Sequence, residues 1–141
     1  MTMVPTTLVL LDSTSQDGES ALELLGAQDD HVALITMISG STSAAIREYA
    51  RSENTDVITA GWLYLDQVVT RVDATSREVQ AVLADGPDIV REMRSIAAAT
   101  VVRRVLLPSS LGSGAGRVRE RLAEVLGAPV MIAGTVEVGA R

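Results

Sequence analysis

The sequence predicts an α/β fold, a five-stranded parallel sheet with helices on both faces. Three observations carry that reading. Short apolar runs alternate with charge-bearing helical segments in the order β-α-β-α-β-α-β-α-β. The first two runs, "TTLVLLD" at residues 6–12 and "HVALITMIS" at 31–39, are continuously apolar. Strands buried on both faces of a parallel sheet read this way, because no face is left for polar side chains. The connections are short and carry no repeat or low-complexity tract, so one domain spans residues 1–141. A chain of this length buries roughly 70% of its unfolded surface.

Each element has its own local reason. The first strand ends at Asp12, and "STSQDG" follows as a turn. Asp17 or Gly18 caps a helix whose apolar face is Ala21, Leu22, Leu24 and Leu25, with Gly26 as its stop. After the second strand, Ser41, Thr42 or Ser43 caps a helical stretch marked by Ala45, Ile46, Tyr49 and Ala50. "SENTD" interrupts the pattern, and Ile58, Trp62, Leu65, Val69 and Val72 then repeat every three or four residues. This gives one long broken helix or two helices over 43–73, although "VITAGWLYL" suits a strand by propensity alone. Val79, Ala81 and Leu83 alternate in the third strand. Pro87 sits at a favourable first helical position with Asp88 beside the positive helix end, and Ile89, Val90, Met93, Ile96 and Ala97 face the sheet. "RRVLLP" is the fourth strand, with Arg103 and Arg104 at its surface end. Val118, Leu122, Val125 and Leu126 line the last helix, which Gly127 closes, and "APVMIAG" is the fifth strand. "TVEVGAR" extends it through Val136 and Val138.

Composition excludes several functions. There is no Cys, so disulfides, thiolate metal sites and Cys nucleophiles are absent. All 12 basic residues are Arg, which removes Schiff-base chemistry, the lysine of a P-loop and the lysine of a phospho-acceptor receiver domain. His31 is the sole histidine and reads as a surface residue in the turn beside Asp29 and Asp30. The acids at 29–30 and at Asp85 and Asp88 read as turn and helix-start residues, so no metal site is expected. A net charge of −6 with only three aromatic residues, Tyr49, Trp62 and Tyr64, argues against nucleic-acid binding. No apolar run reaches the ~18 residues of a membrane span, and the N-terminus lacks a signal-peptide pattern, so a cytoplasmic protein is expected. Trp62 and Tyr64 read as packing or partner-contact residues.

One segment invites a ligand. In "LLPSSLGSGAGRVRERL", Gly112, Gly114 and Gly116 separate the fourth strand from the last helix. This is neither a P-loop nor a dinucleotide fingerprint, since the third glycine of the latter falls at Arg117. Even so, ligands on open parallel sheets sit beyond the carboxyl ends of strands. A glycine-rich turn entering a helix offers backbone N–H groups to an anion, and Ser109, Ser110 and Ser113 add hydroxyls. Arg117 opposes the macrodipole in the first turn, a conflict that a bound phosphate or simple exposure to water relieves. The bland alternative is a tight connection that binds nothing. A helix end contributes about 0.3–2 kcal/mol to holding an anion. Micromolar affinity needs about 8 kcal/mol, so a second anchor is required.

"LVLLDSTSQDGESALELL", "VLADGPDIVREMRSIAAATVVRRVLLPSS" and "GRVRERLAEVLGAPVMIA" together resemble the universal stress protein family in order and spacing, with 41–76 matching only loosely. The resemblance implies a Rossmann-like fold of the adenine nucleotide alpha hydrolase type and a binding or regulatory module without catalysis. It also implies ATP or AMP as the ligand, with Asp12, followed by Ser13, against the nucleoside. Nucleotide-binding members carry Gly-x2-Gly-x9-Gly-Ser/Thr after the fourth strand. Here Pro108 and Ser109 stand where a first Gly-Ser is expected, the loop is shorter, and the final pair matches either Gly112-Ser113 or Gly116-Arg117. The motif is degenerate. The candidate site is therefore Asp12, Ser13, Ser109, Ser110, Gly112, Ser113, Gly114, Gly116 and Arg117. The resemblance further implies a homodimer through the C-terminal strand at residues 130–138, bounded by Val130 and Val138. A ligand-free dimeric interaction domain, working through the surface near Trp62, is the rival reading.

Overall fold

The computed structural model describes residues 4–11, 16–37, 43–73, 77–84, 88–109 and 115–133. Its five strands are β1 (Pro5–Leu11), β2 (His31–Met37), β3 (Glu78–Ala84), β4 (Val101–Leu107) and β5 (Val130–Ile132). They form one sheet in the order β3-β2-β1-β4-β5, with every pairing parallel. The α/β class, the strand number and the sheet type expected from the sequence are those found.

The sheet separates two cores. On one face Val9, Leu11, Val32, Leu34 and Leu106 pack against a 3-10 helix (Gln16–Leu24), α1 (Ser43–Ser52) and α2 (Val57–Asp73). On the other, Leu8, Leu10, Ala33, Ile35, Val105 and Leu107 pack against α3 (Ile89–Ala97) and α4 (Ala115–Leu126). Residues Leu8 to Leu11 of the central strand β1 are all fully buried, which accounts for its unbroken apolar run.

Several local expectations change. The first crossover is a 3-10 helix that begins at Gln16, ahead of the expected caps Asp17 and Gly18. The 43–73 stretch is two helices, and "VITAGWLYL" is helical, not a strand. The break follows from its chemistry. Asn54 takes a left-handed φ of 55°, a conformation Asn tolerates, and the Asp56 carboxylate accepts from the Thr59 N–H at 2.8 Å to start α2. The inward stripe of α2 is also rotated from the expected one. Ala60, Tyr64, Leu65, Val68 and Val72 are buried, whereas Ile58 and Trp62 are 55% and 46% exposed. Ala60 and Gly61 are themselves buried, so the inward side of α2 includes these two small residues while the larger Ile58 and Trp62 face outward.

Pro87 lies outside the described residues, and α3 begins at Ile89 rather than at the proline. Asp88 is its N-cap, accepting from the Val90 and Arg91 N–H groups. Gly127 ends α4 with a φ of +64°, its N–H donating to the Ala123 carbonyl as a C-terminal glycine does. His31 is the first residue of β2 and half-buried, not a turn residue. Val136 and Val138 lie outside the described residues. Among the described residues, no helix is long and apolar enough to cross a membrane.

Candidate functional site

The mouth of the sheet is set by topology. β1 and β4 are parallel neighbours, with Val9 opposite Leu106, so their carboxyl ends finish side by side. From there the chain diverges. The segment after β1 enters the 3-10 helix, whose Ala21 packs with Val9 and Leu11 on one face. The segment after β4 enters α4, whose Leu122 packs with Leu8 and Leu10 on the other. This is the reversal of strand order at which open α/β sheets leave a crevice. Asp12 follows the end of β1 directly, and Ser109 stands two residues past the end of β4.

Of the candidate residues, Ser109, Gly116 and Arg117 are described, while Asp12, Ser13, Ser110, Gly112, Ser113 and Gly114 lie outside the described residues. Ser109 is half-buried, and its backbone N–H donates to Ser20 Oγ at 2.9 Å. The two Oγ atoms are 3.2 Å apart. Ser20 belongs to the 3-10 helix, so this contact ties together the two segments that leave the mouth in opposite directions. Gly116 and Arg117 lie in the first turn of α4, both exposed. A Cβ at Gly116 would meet open space, so crowding does not explain that glycine.

A second polar cluster sits at the opposite end of the sheet, and the sequence reading missed it. Asp29, just before β2, is fully buried. Its carboxylate accepts from Thr7 Oγ1 at 2.6 Å, from the Gly26 N–H at 2.8 Å and from Arg104 Nε at 3.2 Å, and it forms a close ion pair with Arg104 Nη2. Arg104 also donates to the Leu24 carbonyl, and Arg77 donates to the carbonyls of Asp29 and Gly26. Burial pushes the Asp29 carboxyl up. The Arg104, Thr7 and Gly26 donors outweigh it and hold the group down at about 2. Arg104 is therefore not a surface residue at a strand end, as expected, although Arg103 is exposed. The available signal was register. Arg104 shares a strand face with core residue Leu106, and a cation there requires a buried acid. Nothing in this cluster opens toward the mouth, so it reads as an anchor for the loop before β2.

Elsewhere, a cleft of about 290 Å³ lies under the end of α3, lined by Leu8, Ala33, Val82 and Ile96 with Thr6 and Gln80 at its rim. Among the described residues no three His, Asp or Glu side chains gather as a metal cluster.

No protein-family model matches the chain, and no curated protein matches it. Solved structures do. A universal stress protein family member from Burkholderia pseudomallei matches with a TM-score of 0.61 at 18% identity, over 94% of this chain and 97% of that one. A universal stress protein from Archaeoglobus fulgidus gives 0.62 at 15% identity, over 93% and 94%. A family member from Arabidopsis thaliana, solved with AMP bound, gives 0.60 at 16% identity, over 92% and 91%. At these identities the likeness establishes the fold, and the chain has the universal stress protein fold.

Proposed function

We propose that this chain is a single-domain, cytoplasmic binding or regulatory module that takes an adenine nucleotide, ATP or AMP, or another phosphorylated ligand, and performs no catalysis. The carrying observation is the adjacency of β1 and β4, with crossovers that leave toward opposite faces. In sequence, Asp12-Ser13 follows the end of β1 and the serine-glycine turn follows the end of β4, and the adjacency of those two strands supports a shared site. Backbone N–H groups of Ser110, Gly112, Ser113 and Gly114 supply the anion contacts, aided by the N-terminus of α4. Arg117 supplies the countercharge, and Asp12 holds the nucleoside. The AMP bound to the Arabidopsis protein of the same fold supports the choice of ligand.

Calorimetry with ATP, ADP and AMP, with and without magnesium, tests the reading. Heat with at least one nucleotide, lost in Asp12→Ala and Gly114→Val, is expected. Absence of heat with all three sinks it.

One observation favours the rival reading of a ligand-free interaction domain. Ile58, Trp62 and Leu63 are each more than two-fifths exposed along one side of α2. In both readings the chain forms a homodimer through residues 130–138, because among the described residues β5 (Val130–Ile132) is an edge strand paired only with β4, with Met131 exposed.

A further inference from the structure

The Ser20–Ser109 contact joins the crossover after β1 to the segment after β4, the two segments on which the proposed ligand site is built. Pro108 has no N–H, so the Ser109 amide is the first backbone donor past the strand residue Leu107. A phosphate at the turn would draw on that amide, yet Ser20 Oγ already occupies it at 2.9 Å. The partner is a neutral hydroxyl carried by the opposite crossover. An anionic oxygen makes a charge-assisted bond roughly twice as strong as a neutral one. The exchange therefore favours phosphate over Ser20, while a ligand without phosphate gains nothing by it.

We propose that Ser20 is a built-in competitor for the phosphate. Its hydroxyl clasps Ser109 in the free protein and is displaced only by a phosphorylated ligand. The clasp thus sets the threshold for phosphate and makes the 3-10 helix respond to occupancy. A 3-10 helix has weaker internal hydrogen bonds than an α-helix, which suits it to a small shift when its hydroxyl is released. Ala21, the next residue, is fully buried against Val9 and Leu11, so a shift at Ser20 is felt by the core beneath it. The inference rests on the nucleotide site proposed above and adds its regulation.

The test compares wild type, Ser20→Ala and Ser20→Thr. Amide exchange at Ser109 is measured by NMR in the free proteins, and AMP and adenosine are titrated calorimetrically. In Ser20→Ala the Ser109 amide exchanges faster. Affinity for AMP rises about three- to tenfold, the value of one net hydrogen bond, and that for adenosine is unchanged. Ser20→Thr keeps the hydroxyl and behaves as wild type. Weaker or unaltered AMP binding by Ser20→Ala overturns the competition, as does an equal change with adenosine. If AMP gives no heat with any variant and ATP and ADP give none either, the nucleotide reading itself falls and takes the competition with it; if only ATP or ADP binds, the same comparison is made with that nucleotide against adenosine. If AMP binds but Ser109 exchange does not respond to Ser20→Ala, the clasp alone is refuted.

Discussion

Replacing Arg104 by Met removes the cation beside Asp29 while keeping much of the stem's volume. The Asp29 carboxylate is fully buried and the Arg104 side chain is 15% exposed, so solvent cannot substitute for the lost partner. Thr7 and Gly26 still donate to it, but two neutral donors do not neutralise a charge. Breaking a buried pair from one side costs about 3–5 kcal/mol. A domain's whole stability is about 5–15 kcal/mol, so the loss is a large fraction of it. With an unfolding entropy of about 2.1 cal/mol/K per residue over 141 residues, the loss lowers Tm by roughly 10–17 °C. Urea unfolding followed by circular dichroism gives the free energy, and calorimetry gives Tm. Asp29→Asn is made alone and with Arg104→Met to close a double-mutant cycle. The double variant recovers a substantial part of the single loss, because the unpaired charge is gone. A loss below about 1 kcal/mol for Arg104→Met, or no recovery in the double variant, refutes the assignment of this pair as an anchor.

The same carboxylate makes the fold acid-sensitive. Asp29 is held at about 2 against an ordinary 3.8, so it contributes on the order of 2 kcal/mol at neutral pH, fully present above about pH 5. About half of that is gone by pH 3, and the stability gap between wild type and Asp29→Asn narrows accordingly. A gap that stays constant from pH 7 to pH 3, measured by urea titration, contradicts the depressed carboxyl. The homodimer is read by light scattering at tens of micromolar protein, where a dimer mass is expected and a monomer removes the edge-pairing proposal.

The parallel sheet was legible because its central strands have no polar face. Residues 8–11 and 32–35 announce burial on both sides by composition alone. The last helix was legible for a related reason, since Val118, Leu122 and Leu126 recur at helical spacing and Gly127 supplies the positive φ that ends it. In α2 the apolar positions fit two stripes, and the sequence favoured the one with the larger side chains. Burial falls instead on Ala60, Gly61, Tyr64 and Val68, a choice set by the elements α2 packs against, which periodicity does not record. Arg104 was hidden because its partner lies 75 residues away and becomes a neighbour only once β1 and β4 pair. Of the candidate site, the structure bears on the adjacency of β1 and β4, while Asp12, Ser13, Ser110, Gly112, Ser113 and Gly114 lie outside the described residues. The role of Ser20 was not legible, because a serine in a helical stretch carries no mark of the loop it will touch.

β1 sends Val9 and Leu11 into one core and Leu8 and Leu10 into the other. Neither layer of helices can come away without exposing a strand on which the opposite layer also relies. Melting should thus be a single all-or-none event reported alike by probes on either side, and a void cut beneath α4 should loosen amides in α2 across the sheet.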